Sequence, residues 1–344
     1  MKNNRFKKIF LLSALLLAAC DHANNYSAPA SITSGAALPG ASLSPAALTE
    51  AEQKFVTYVA PKYGVSSEEA AAILAQVKIQ PSIIKTNMRP AEKKSWGVYR
   101  AALLTPQRIS LGKKFMQDHA TIFAEATKRY DVSPEIIAGI IGVESQYGQH
   151  LGNYRVLDAL ATLSFASPRR SAFFQKELAE YMSLIVKSRD FVKIKGSYAG
   201  AFGMPQFMPS SYLSTAVSNQ PGKLANLDSP DDAILSVAHY FHMNGWQSQS
   251  PVAVRVKLAA NSCHQLTCDQ KKPLYSVTQW QAAGVQVPIQ VDKILRASVV
   301  RLQTNSGEED WMIFHNFYVI TRYNSSINYA MAVFQLGQAL REEN

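Results

Sequence analysis

The chain has 344 residues, 47% hydrophobic and 17% charged, and its 35 Lys and Arg against 25 Asp and Glu give a formal net charge of +10. A basic surface of this kind faces nucleic acid, acidic lipid or an acidic polymer, or is simply solvated. The sequence lacks an HExxH metal motif, a GxSxG nucleophile elbow and a phosphate-binding glycine loop, which lowers the corresponding hydrolase and nucleotide-binding classes.

Residues 1–19 read as an export signal, with Lys2, Arg5, Lys7 and Lys8 ahead of the apolar stretch from Ile9 to Ala19. That stretch is too short to stay in a bilayer as a spanning helix. Leu17 to Cys20, "LAAC", resembles the bacterial lipoprotein cleavage box, which implies lipidation of Cys20 and a membrane-anchored, periplasmic protein. Asp21 bears on which membrane holds it, but the choice between inner and outer membrane stays open without a known host. The four signal cations leave on cleavage, so the net charge falls from +10 to +6, and export removes access to nucleic acid. Residues 20–48 read as a flexible tether: from Asp21 onward they are rich in Ala, Ser, Pro and Gly and contain no lysine or arginine. Such a tether reaches on the order of 30 Å.

From Thr49 to Gly245 apolar residues recur mostly at helical spacing, as in "AEQKFVTYVAPKYG" and "DAILSVAHYFHMNGW". The segment "SPEIIAGIIGVESQYG" predicts a helix with Ser133 as cap, Pro134 at its first position, Glu135 at its positive end and Gly148 as its stop. Ile137, Ile140, Ile141 and Glu144 then share one stripe. A carboxyl on a core-directed face, near the negative end of the helix dipole, has its pKa pushed upward and becomes a candidate general acid. A half-buried structural ion pair is the alternative at this point.

Two further clusters stand out. In "KGSYAGAFGMPQFMPSSY", residues 195–212, small side chains allow a polymer to approach the backbone, tyrosines offer flat faces to sugars, and Gln206 offers an amide. In "ITRYNSSINYAM", residues 320–331, Tyr323, Asn324 and Tyr329 surround the start of a final helix. Each cluster alone is compatible with turn-forming or packing roles. His239 and His242, in "AHYFH", lack an evident third ligand and read as packing or surface groups.

After Trp246 the pattern changes. "PVAVRVKLAA" alternates, and "ASVVRLQT" and "WMIFHNFYVI" are β-branched and aromatic, which predicts a β-rich insertion over about 247–318 before helical spacing returns. Lipidation of Cys20 leaves Cys263 and Cys268 as an even pair; in an oxidising compartment they can close the loop "CHQLTC", and a weak metal site using His264 is the competing reading.

"GVESQYG", "GSYAGAFGMPQFMPSSY", "NGW" and "ITRYN…YAMAV", in this order and spacing, resemble the membrane-bound lytic transglycosylases of glycoside hydrolase family 103 over about residues 50–340. The resemblance implies a mainly α fold: a lysozyme-like catalytic core at 129–246, an N-terminal helical lobe at 49–128, the small β domain at 247–318, and a helix completing the core at 319–344. It implies Glu144 as catalytic acid/base, with Ser197, Gln206, Tyr240, Tyr323, Asn324, Tyr329, Tyr99, Arg169 and Arg170 as substrate contacts. The substrate it implies is peptidoglycan, whose carboxylates suit a basic enzyme, with cell-wall synthesis or recycling proteins as expected partners and no cofactor.

Two features of the residues bear on mechanism. No Asp or Glu occurs between Asp190 and Asp228, nor from Tyr323 to Leu340, so the two carboxylates of an ordinary glycosidase are not evident. The resemblance also carries a calcium loop after "FMPSSY", whereas this chain reads "VSNQPGKLANLDSPDD", with acids only from Asp228 onward; we expect no calcium there.

Overall fold

The computed structural model describes residues 48–87, 94–167, 170–248 and 250–342. The signal, most of the tether, Cys20 and Arg169 lie outside the described residues. Helices begin where capping residues stand. Thr49 and Ser66 each form a reciprocal capping box, with Glu52 and Glu69, at the starts of α1 (Glu50–Lys54) and α2 (Ser67–Leu74). α1 runs on through a wider turn, Phe55–Val59, and a tighter one, Ala60–Tyr63, which Gly64 ends in the left-handed conformation.

Helices α3 (Pro81–Asn87), α4 (Trp96–Leu103), α5 (Pro106–Asp118), α6 (Ala120–Tyr130) and α7 (Pro134–Ser145) follow. A two-residue strand, β1 (Tyr154–Arg155), leads into α8 (Val156–Phe165) and α9 (Ser171–Lys187). β1 pairs antiparallel with β2 (Lys195–Gly196), and α10 (Pro209–Thr215) and α11 (Pro230–Met243) complete the helical body up to Met243.

Apolar faces gather into separate cores. Phe55, Ile73 and Ile83 from the first helices pack with Leu157, Leu160, Leu178 and Ile185 of α8 and α9 and with Phe202 and Phe207. A second core joins α4 to α7 with α11 and the C-terminal helices, through residues such as Trp96, Phe123, Ile140, Phe241 and Met331. Tyr323 packs against both and marks the seam between them.

The β subdomain contains β3 (Ala253–Arg255), α12 (Ser262–Gln265), β4 (Tyr275–Ser276), α13 (Val277–Ala282), β5 (Arg296–Thr304) and β6 (Gly307–Ile313). Its antiparallel sheet has the order β3-β6-β5-β4. Alternation decides its two faces: Val300, Leu302, Trp311 and Ile313 join the second helical core, while Ala297, Val299 and Met312 meet Val256, Val277 and Trp280. Cys263 and Cys268 are joined by a disulfide that closes the α12 loop.

Two expectations need correction here. "PVAVRVKLAA" forms a ladder only over Ala253–Arg255, followed by a single bridge from Lys257 to Gln286. "WMIFHNFYVI" is not strand throughout: Phe314 N–H bonds to the Val252 carbonyl at 3.0 Å, the ladder ends, and α14 (His315–Tyr323) begins. Its aromatic and β-branched residues serve helix packing, with Phe317, Val319 and Ile320 fully buried. α15 (Ile327–Arg341) then crosses α7.

Candidate active site

α7 is buried on all sides from Ile136 to Val143 rather than along one stripe. Gly139 explains how α15 comes so close, since a Cβ there would stand 2.8 Å from the Val333 carbonyl oxygen. The helix ends one turn earlier than the glycine rule suggests. Gln146, at φ 51°, is its left-handed cap; Tyr147 and Gly148 continue at φ 57° and 86°. Backbone bonds from Gln146 N–H to Gly142 O (3.2 Å) and Tyr147 N–H to Ile141 O (3.3 Å) close the end, and Ser145 Oγ accepts from Gly148 N–H at 3.0 Å. Ser133 occupies the N-cap position, but its side chain makes no capping bond.

This early stop leaves Glu144 in the last turn, its side chain still partly reachable from outside while protein crowds it on the other sides. Tyr329 Oη donates to Glu144 Oε1 at 2.6 Å. Burial raises the Glu144 pKa to about 8, against the smaller lowering effect of that hydrogen bond. Burial therefore holds the group mainly as the acid at neutral pH, and no second carboxylate among the described residues contributes to the shift.

The remaining sequence candidates fall into three groups. Tyr99 on α4, Tyr323 at the end of α14 and Tyr329 in the first turn of α15 surround Glu144: each phenol is pushed upward first by burial and then by the Glu144 charge. The Tyr323 and Tyr329 rings stack at 6.4 Å with an 11° interplanar angle, and Tyr240 meets Tyr323 edge-on at 4.8 Å. Tyr240 Oη donates to the Arg322 carbonyl at 2.8 Å, which fixes α11 to α14.

A second group lies in the glycine-rich segment, which is built from turns. Ser197 Oγ accepts from Ala199 N–H (3.3 Å) and Ala201 N–H (3.1 Å). Phe202 and Phe207 pair across the tight turn that holds Gln206 at φ 51°. Gln206 Nε2 donates to the carbonyls of Gly203 (2.9 Å) and Leu151 (3.2 Å), so the amide is oriented and its Oε1 has no donor among the described residues. Tyr323 Oη donates to the Pro205 carbonyl, tying this segment to the tyrosine cluster.

The third group makes local contacts. Arg170 opens α9 at φ 62° with its guanidinium 4.3 Å from the Phe173 ring centroid. Asn324 Oδ1 accepts from Ser326 N–H at 3.1 Å, a turn that sets up α15.

Several supporting residues escaped the sequence reading. Ser326 caps α15 by accepting from Tyr329 N–H at 3.3 Å, which places the Tyr329 ring; the signal was the serine three residues before the tyrosine. Glu177, buried in α9, accepts from Ser210 N–H (3.0 Å) and Ser210 Oγ–H (2.8 Å) and so anchors the far end of the glycine-rich segment. Nothing in its local sequence distinguishes Glu177 from a solvated helix glutamate.

The 217–232 loop is organised by its own amides. Asp232 accepts from Asn219 N–H (2.8 Å) and Asn226 N–H (2.7 Å), and Asp231 accepts from Asn219 Nδ2 at 3.2 Å. Among the described residues no group of three or more His, Cys, Asp or Glu is placed to hold a metal ion. His239 Nδ1 lies 2.9 Å from the Thr215 carbonyl and His242 Nδ1 3.3 Å from that of Tyr130, both rings against Tyr130.

A mainly helical fold that holds one carboxyl largely as its acid amid tyrosines, near the seam of two cores, is suited to an enzyme that works by proton transfer. The chain belongs to the transglycosylase SLT domain family, whose model matches residues 48–338. It is 39% identical over 299 residues, 84% of this chain and 82% of the relative, to membrane-bound lytic murein transglycosylase B of Escherichia coli K12. Its fold is similar to that of soluble lytic transglycosylase SltB1 from Pseudomonas aeruginosa (TM-score 0.78, 39% identity, 84% of this chain and 97% of that one). It is also similar to SltB3 from Pseudomonas aeruginosa in complex with NAG-anhNAM-pentapeptide (TM-score 0.74, 28% identity, 84% and 78% covered). The protein is therefore an enzyme of the lytic transglycosylase class.

Proposed function

We propose that this enzyme cleaves the β-1,4 bond between N-acetylmuramic acid and N-acetylglucosamine in peptidoglycan without water, with Glu144 as its sole acid/base. The observation that carries the reading is the 2.6 Å hydrogen bond from Tyr329 Oη to Glu144 Oε1. A phenol that donates to Oε1 makes that oxygen the carbonyl-like one and leaves the acidic proton on Oε2, which has no partner among the described residues. Oε2–H gives its proton to the glycosidic oxygen as the bond to C1 breaks. Positive charge at C1 is met by the substrate's own 2-acetamido oxygen, since no second carboxylate acts on Glu144. The Glu144 carboxylate, stabilised by Tyr329, then takes the proton of the muramyl C6 hydroxyl as that oxygen attacks C1 and closes a 1,6-anhydro ring. Proton and leaving group balance, and the acid is regenerated.

The surrounding residues supply orientation. Ser197 and Asn324 direct the acetamido group, Gln206 offers its oriented Oε1 to the sugar, and Tyr99, Tyr240, Tyr323 and Tyr329 line the subsites together with Arg169 and Arg170. The low apolar requirement of sugar rings and the flatness of phenols suit this pairing. Lipid on Cys20 would hold the enzyme at the periplasmic face of a bacterial membrane; the "LAAC" box and the membrane-bound relative support that placement. Among the described residues no helix is long and apolar enough to cross a membrane.

Mass spectrometry of digested sacculi tests the reaction. The expected products are anhydromuropeptides. Products heavier by about 18 Da, one added water, would make the enzyme a muramidase, and no soluble product would make it a wall-binding protein.

A further inference from the structure

We propose that Glu180 is a positioning residue for the reaction: as a neutral acid it lets Glu177, one turn away on α9, stand as the carboxylate that holds Ser210 and the end of the glycine-rich segment. The proposal rests on the reading above only in taking Ser197 and Gln206, which that segment carries, as substrate contacts. Glu180 itself touches no reacting group.

The two carboxyls stand in the interior and are provided for unequally. Glu177 is 2% and Glu180 9% exposed, and residues three apart on a helix are neighbours. Both oxygens of Glu177 accept from Ser210, one from its N–H at 3.0 Å and the other from its Oγ–H at 2.8 Å, and Lys176 and Arg170 favour its charge as well. Glu180 has far less. Its Oε1 lies 3.9 Å from Lys176 Nζ, beyond hydrogen-bond reach, and that lysine side chain keeps half of its surface open. Its Oε2 is buried with no hydrogen-bond partner among the described residues. A buried charge without partners costs far more than a buried neutral carboxyl, so a proton held by this pair belongs on Glu180.

The surrounding groups fix where that proton is lost. Burial, then the Glu177 charge, raises the Glu180 pKa to about 7, against a lowering effect of Lys176. Burial raises Glu177 too, but the Ser210 bonds, Lys176 and Arg170 oppose it. Tyr63, on the Ala60–Tyr63 turn packed against α9, brings no cation; its phenol is raised by burial and then by the two acids. α8 and α2, which also pack on α9, supply no charge that acts on either carboxyl. The proton is therefore kept below about pH 7 and lost above it. Two neighbouring buried carboxylates then repel each other, and their repulsion strains the grip of Glu177 on Ser210.

The test follows the Ser210 amide chemical shift by NMR from pH 5 to pH 9 in the whole enzyme. Wild type and Glu144→Gln, which lacks the other raised carboxyl, should share a titration with its midpoint at about 7. Glu180→Gln, neutral at every pH, should lose it. Release of soluble product from sacculi is measured in parallel. The ratio of the Glu180→Gln rate to the wild-type rate should rise about threefold or more from pH 6 to pH 8, a trend that a lost packing contact does not produce. No Ser210 titration in wild type, one with the same midpoint in Glu180→Gln, or a rate ratio independent of pH would overturn the proposal, and the first of these requires no variant to fold. Failure of wild type to release any product would instead count against the peptidoglycan reading, with the Ser210 titration still deciding where the proton sits.

Discussion

Tyr329 is fully buried, and its hydroxyl stabilises the carboxylate form of Glu144 that appears once the proton has left. Removing it has two separable effects. The pKa of Glu144, lowered by this bond, moves upward, so the alkaline limb of the kcat profile in Tyr329→Phe shifts to higher pH. The rate falls as well, by about 10- to 100-fold, the usual worth of a hydrogen bond to a charged group. Steady-state kinetics across pH would show both, and an unchanged profile would separate Tyr329 from the proton transfer. At this scale the legibility of the sequence was uneven. Glu144 could be found because an acid at the end of an isoleucine run conflicts with its surroundings. The pairing of Tyr329 with Glu144 had no local signal, because the contact between α15 and α7 joins residues 185 positions apart.

Among the elements, the segment between β2 and α10 is the one most dependent on support. It has little regular structure and is held by the Phe202 and Phe207 pairing, the Tyr323 bond to Pro205 and the Glu177 clamp on Ser210. Glu177→Gln keeps an acceptor for Ser210 N–H, and the Ser210 hydroxyl can turn to accept from the new amide. Glu177→Leu leaves two buried groups unpaired and should lose about 2–4 kcal/mol in urea unfolding, against about 1 kcal/mol or less for the glutamine variant. Equal losses would show that volume rather than hydrogen bonding sets the effect. Element type was readable where the apolar run is long, as in α7, although its cap bond and its stop differ from those expected. The α14 reading failed because buried helices and strands draw on the same aromatic and β-branched residues, and only the Phe314 to Val252 bond shows where the ladder stops.

For the molecule as a whole, the site carries a stability cost that depends on pH. The pKa of Glu144 is raised from 4.5 to about 8 on folding, so the folded state binds the proton more tightly than the unfolded chain. The stabilisation is fully present below the unfolded value and is lost as pH rises through the folded one. Glu144→Gln lacks this loss. Its stability relative to wild type should therefore grow from pH 5 to pH 8, by up to about 1.4 kcal/mol per pH unit, in parallel thermal or urea melts. A constant difference across pH would mean that Glu144 is not held neutral. The overall plan, helices with a late β insertion, followed from hydrophobic period alone, whereas the seam at Tyr323 did not, because it depends on how two cores meet.

The most direct measurement is the release of soluble muropeptides from purified sacculi by Glu144→Gln, at neutral pH, with folding verified by its melting curve. A lone proton donor and acceptor predicts a fall of about 100- to 10,000-fold against wild type, with the fold intact. Turnover close to that of wild type would contradict it and assign the proton transfers to another group.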